Sequence, residues 1–146
     1  MRAIATSLGA ALFLPGLAGC GYASGATCVD WVRIETPQET FDQAELVIVG
    51  AGTERDGTES IYDAEAHSYR MDVSEVLKGD LPSGTIRVSS MPVTCTEGSQ
   101  YPDGDPLDTA SDVLIFANRY DDEWFTLTPF DGVLRYSQDT ADSLIR

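Results

Sequence analysis

The sequence predicts a mainly β domain with one or two short helices, and three observations carry that expectation. Two compact apolar runs, Leu46-Val47-Ile48-Val49 and Val113-Leu114-Ile115-Phe116-Ala117, have the length and composition of buried strands. Residues 68–74 and 86–89 alternate apolar with polar side chains, the period of a half-buried strand. Clusters rich in Gly, Pro and Asp separate these runs with no strand–helix–strand rhythm, which points to a barrel or a sandwich.

Each element has a local signal. Thr36-Pro37-Gln38-Glu39 is a helix start: Thr36 can cap, Pro37 suits the first helical position, and Glu39 stands three residues after the cap. A short helix is expected over 37–45, with Phe41 and Ala44 on one face. The strand at 46–49 continues past Gly50, where a bulge or a close approach accounts for the glycine. Arg55-Asp56-Gly57-Thr58 carries Asp-Gly turn chemistry, so a loop is expected there. Tyr69, Met71 and Val73 then face one side of a strand and Arg70, Asp72 and Ser74 the other. Val76 and Leu77 shift that pattern by one, as a bulge does. Lys78-Gly79-Asp80-Leu81-Pro82-Ser83-Gly84 is a turn cluster, followed by a strand with Ile86 and Val88 inward. A long polar loop spans 96–112, and the 113–117 run is the strongest central-strand signal. A turn near Tyr120-Asp121-Asp122-Glu123 leads to a strand at 124–127, a short strand lies within 132–136, and Ser137 caps a final helix over 139–145.

The chain has 146 residues, enough for one core once a leader is removed. Nine Lys+Arg oppose 24 Asp+Glu, a formal net charge of −15. Such a surface repels nucleic acid and anionic lipid headgroups, so nucleic acid is excluded as a partner. The charge serves solubility and by itself calls for no cationic partner.

Residues 1–20 have a signal-peptide layout: Arg2, an apolar stretch over 4–17 broken by Pro15 and Gly16, then small residues. The stretch is too short and interrupted to span a membrane as a helix. Leu17-Ala18-Gly19-Cys20 resembles the lipobox of bacterial lipoproteins. That resemblance implies a diacylglyceryl group on the Cys20 thiol, cleavage before Cys20, and a location on the extracytoplasmic face of a cell membrane. Residues 1–19 are then a signal peptide, 20–27 a lipidated cysteine with a flexible tether, and 28–146 a single folded domain. An ordinary secretory signal, leaving Cys20 a free thiol, is the alternative.

With Cys20 lipidated, Cys28 and Cys95 are left to pair. A disulfide between them is expected in an exported protein, with free thiols or a metal or catalytic role as alternatives. His67 is the only histidine and is read as a surface or strand-entry residue. Neither a Ser-His-Asp signature nor a phosphate-binding glycine motif is present. Asp103, Asp105, Asp108 and Asp112 crowd one loop. A solvated acidic loop is the expectation and calcium the alternative, although the spacing is not that of a twelve-residue calcium loop. Glu59, Glu65, Asp72 and Glu75 supply carboxylates, but this short chain implies no deep cleft for glycoside hydrolysis. Tyr120, Trp124 and Phe125 are read as core, with an exposed binding face as the alternative.

Taken in order, these pieces resemble the netrin-like, or tissue-inhibitor-of-metalloproteinase-like, family. Its bacterial exported members show an early cysteine, matched by Cys28. A helix-to-strand step follows, matched by residues 41–50. Tyr69-Arg70-Met71-Asp72-Val73 with Lys78-Gly79, then Cys95, then the 113–117 strand match the rest. The resemblance covers about 28–118 and implies a five-stranded OB-type barrel with one or two short helices. The animal inhibitors coordinate a protease's zinc through a free N-terminal cysteine. Here Cys28 is internal and a lipidated Cys20 occupies the mature N-terminus, so that activity does not carry over.

The sequence therefore leads to an expectation of a lipid-anchored, non-enzymatic binding or envelope-interaction module. No cofactor, metal or catalytic residue is assigned. The membrane is its partner through Cys20, and its ligand is a protein or a carbohydrate. The alternative is a small exported hydrolase or calcium-dependent domain using the carboxylates of the 103–112 loop.

Overall fold

The computed structural model describes residues 27–82 and 84–145. The signal segment, Cys20 and most of the tether lie outside the described residues. In chain order the elements are α1 (Pro37–Gln43), β1 (Leu46–Ile61), β2 (Ala64–Lys78), β3 (Thr85–Ser89), β4 (Val113–Tyr120), β5 (Glu123–Thr126), β6 (Val133–Arg135) and α2 (Gln138–Leu144). The protein is mainly β, with six strands against the five expected.

Both helices start at their sequence caps. Thr36 Oγ1 accepts the Glu39 amide at 3.2 Å, and Ser137 Oγ accepts the Thr140 amide at 3.2 Å. The first helix stops at Gln43, because Ala44 turns extended and is buried as the chain enters β1.

β1 pairs antiparallel with β2, and its residues 46–50 also pair antiparallel with β4. β2 pairs antiparallel with β3, and β3 pairs in parallel with β5. One edge of β4 is shared between β5 over 117–120 and β6 over 113–115. The pairings thus pass from β1 through β2, β3, β5 and β4 back to β1, so the sheet closes partly into a ring.

Burial follows from this closure. Leu46, Ile48, Val113 and Ile115 join Tyr69, Met71, Ile86 and Val88 in one cluster. Their chain neighbours Val47, Val49, Leu114 and Phe116 join Leu127 and Leu144 of the opposite face in a second. Both faces of β1 and β4 are covered here, which is why these runs are apolar without alternation. In β2 only Tyr69 and Met71 are buried across that stretch, while Arg70 and Asp72 are exposed, which is why it alternates.

The loop expected at 55–58 is instead part of β1. Arg55 pairs with Tyr69 and Thr58 with His67, so Asp56 and Gly57 both stand opposite Ser68 as a bulge. Gly57 has φ +90°, which suits glycine, and Arg87 of β3 donates to the Asp56 carbonyl at 3.1 and 3.2 Å. The hairpin turn comes five residues later, at Tyr62-Asp63. The bulges expected near Gly50 and Leu77 are present as register shifts, and a Cβ on Gly50 would lie 2.6 Å from the Asp72 carbonyl oxygen.

Candidate functional site

Two regions gather aromatic and carboxylate side chains, and they differ in what is left open. The first is a closed polar cluster over β2. The segment after β3 reaches this strand through Ser90, Tyr101 and Asp105, and Asp105 turns inward with its side chain only 7% exposed. Its carboxylate accepts from His67 Nδ1 at 2.8 Å, from the Tyr69 hydroxyl at 3.1 Å, from the Leu107 amide at 3.1 Å and from the Ser90 hydroxyl. His67 Nδ1 therefore carries the proton. The Tyr101 hydroxyl donates to the Ser90 carbonyl at 2.8 Å and accepts the His67 amide at 3.0 Å, and its ring lies 4.7 Å from the imidazole.

Burial, followed by the Asp105 carboxylate, pushes the Tyr69 hydroxyl well above the usual tyrosine range. Burial likewise pushes Tyr101 up to about 12. Ser90, His67 and Asp105 are together, but not as a nucleophilic relay. Serine and imidazole both bond to the carboxylate, and no serine–imidazole hydrogen bond links them. The cluster fastens a long loop to a strand.

This geometry revises two readings from the sequence. His67 stands near the entry of β2, as one of its two readings had it, but half-buried and bonded to Asp105 rather than on the surface. Asp105 leaves the solvated acidic loop, whereas Asp103, Asp108 and Asp112 remain exposed on it. Among the described residues, no three His, Cys, Asp or Glu side chains are grouped to hold a metal ion. The sequence points to Asp105 as one of the crowded acidic residues but not to its inward role. Its Asx bond to Leu107 two residues on is the only local signal.

The second region is an open cleft between two hairpin turns. β1 and β2 are joined by Tyr62-Asp63, with φ of 53° and 60°; β4 and β5 are joined by Asp121-Asp122, with φ of 47° and 70°. Two consecutive positive φ values mark the tight turns that match strand twist. Aspartate tolerates that region, but Tyr62 is a bulky side chain held in it. The Tyr62 and Tyr120 rings meet edge to face at 6.4 Å, and Tyr120 meets Phe125 at 5.8 Å. Between the turns is a cavity of about 360 Å³ lined by these three aromatics and by Glu59, Asp121 and Glu123.

Ionic contacts stiffen the walls. Arg87 donates to Glu59 at 2.6 Å and to Glu123 at 3.2 Å, joining β1, β3 and β5. Burial alone would lower the Arg87 guanidinium, but Glu59, Glu123 and Asp56 outweigh it and hold it raised. Burial, followed by the adjacent Tyr62, raises the Tyr120 hydroxyl.

Residues 27–31 strap this end of the molecule. Thr27 donates to Asp63 through its amide at 3.2 Å and its hydroxyl at 2.9 Å. Cys28 and Cys95 form a disulfide with a Cα separation of 5.3 Å. The Val29 amide donates to Thr94 Oγ1 at 2.8 Å, and the Trp31 and Tyr62 rings meet edge to face at 6.1 Å. Of the aromatics weighed from the sequence, Phe125 is buried, Trp124 is partly buried beneath Arg119, and Tyr120 reaches the cleft. The sequence does not link Tyr62, Glu59 and Arg87 to a binding face, since neither a turn at 62–63 nor contacts across strands can be read locally. Among the described residues no helix is long and apolar enough to cross a membrane. No known protein family and no curated protein matches the chain.

Proposed function

We propose that the protein is a lipid-anchored, extracytoplasmic binding module rather than an enzyme, on an OB-type, netrin-like barrel, with the cleft between its hairpin turns as the ligand site. The observation that carries this reading is the cleft itself: three aromatics and three carboxylates, framed by two tight turns and held by a disulfide-fastened strap. The ring of strand pairings β1-β2-β3-β5-β4 supports the OB-type assignment. In such barrels the turns after the first and fourth strands border the ligand face. Aromatics beside carboxylates suit a protein or carbohydrate ligand and disfavour phosphate backbones. The alternative of a calcium site built on Asp105 is disfavoured, because that carboxylate already accepts from four donors.

The strap also supports a role near the membrane. Thr27 is bonded beside the Tyr62-Asp63 turn, and a lipidated Cys20 lies seven residues before it. Fully extended, that interval spans about 25 Å. The cleft would then work close to the bilayer.

Two measurements test the reading. Metabolic labelling with palmitate should mark the full chain, and Cys20→Ala should abolish both the label and partitioning into detergent. Peptide and glycan panels probed with the full chain should yield a ligand lost on Tyr120→Leu. Membrane retention of the Cys20→Ala protein contradicts the anchor, and a panel ligand indifferent to Tyr120 contradicts the site.

A further inference from the structure

We infer that the cleft between the two hairpin turns selects an alkylated ammonium group. This rests on the reading of that cleft as the ligand site and adds the charge and class of what enters it.

Three observations converge. The first is aromatic: Tyr62 and Tyr120 line the cavity, and a tyrosine ring attracts a cation through its negative face. The second is the distribution of the protein's own cations. Arg33 lies over Phe130, Lys78 over Phe41 and Arg119 over Trp124. Among the described residues, no such cation covers Tyr62 or Tyr120, the two tyrosines bordering the cavity.

The third is electrostatic. Glu59, Asp121 and Glu123 line the cavity, while Arg87 is the cation bonded to its wall. Three carboxylates against one guanidinium leave an excess of two negative charges. Arg87 also holds Glu59 and Glu123 in place, so these carboxylates are oriented before any ligand arrives. Asp121 has no hydrogen-bond or ion-pair partner among the described residues and lies next to Tyr120. An anion meets repulsion here, and an uncharged group of the same shape gains nothing from the charge. A strongly hydrated small cation loses more water than the tyrosine rings replace, whereas an alkylated ammonium sheds little and presents methyl groups to them.

The test uses the full chain in non-ionic detergent, titrated with choline and with dimethylbutanol, its uncharged isostere in which carbon replaces nitrogen. Choline should bind saturably, about tenfold more tightly than the isostere, and more weakly as salt rises. Tyr120→Leu and Asp121→Asn should each weaken choline binding several-fold. Tyr120→Phe, which keeps the ring, should retain it. Asp103→Asn, on the acidic loop and outside the cleft lining, should leave it unchanged. Equal binding of the isostere, no binding of choline, or equal losses from Asp103→Asn and Asp121→Asn would overturn the inference. If the panels yield a Tyr120-dependent ligand while choline fails, the cleft remains the ligand site and only its preference for ammonium is lost. If neither choline nor a panel ligand binds, both readings fall.

Discussion

The cluster at Asp105 and the cleft at Tyr62 and Tyr120 are built from the same kinds of residue and end in opposite states. In the first, one carboxylate meets four donors from the strand, the loop and its own turn, and little of it reaches water. In the second, carboxylates and rings surround about 360 Å³ of open space, with Glu59 and Glu123 bonded to Arg87 and the Tyr62 and Tyr120 hydroxyls bonded to each other. A polar cluster satisfied from within contributes to stability and offers little to a ligand. One held rigid from behind and left open in front offers both shape and charge. The difference separates a fastening from a binding surface, and residue composition alone does not.

The largest expected effect comes from cutting the strap that both regions share through Cys95. Replacing Cys28 and Cys95 together with Ser should cost about 4 kcal/mol in the chain-entropy account of a loop of this length, measured by chemical denaturation. It should also weaken ligand binding, because the strap supports Tyr62 through Trp31. Asp105→Ala comes next. It strands the Ser90 and Tyr69 hydroxyls, the imidazole and the Leu107 amide, and should cost about 3 kcal/mol while leaving the affinity of the folded cleft unchanged.

Alkaline pH sharpens the same contrast. Tyr101 and Tyr69 ionise near 10 in the unfolded chain but higher in the folded one, Tyr101 at about 12. Between those values the native state holds protons that the unfolded state has released. Their contribution is therefore complete below pH 10 and is lost as pH rises towards 12. Stability measured across that window should fall, and Tyr101→Phe should flatten part of the decline. The smallest stability effect belongs to Asp121→Asn. This exposed turn residue should change unfolding free energy by less than about 0.5 kcal/mol, yet weaken cation binding.

Much of the frame was legible because its causes are local. The caps at Thr36 and Ser137, the two-faced burial of 46–49 and 113–117, and the alternation at 69–73 each follow from a few adjacent residues. The loop expected at 55–58 shows where that ends. Asp56-Gly57 carries the stronger turn chemistry, but its positive φ serves a bulge, because strand pairing continues on both sides. The true turn uses Tyr62, a residue that no turn rule favours. Asp105 was concealed for a related reason: His67 and Tyr69 lie 38 and 36 positions away, so only the folded chain brings them together. The cleft likewise depends on two turns separated by about sixty residues in sequence.

The most direct test of the contrast is a residue-resolved NMR titration of the full chain with choline. The account predicts that shift changes concentrate at residues 59–63 and 119–125, with His67, Ser90 and Asp105 unmoved. Changes centred on His67 and Asp105, or spread evenly over the acidic surface, would contradict it.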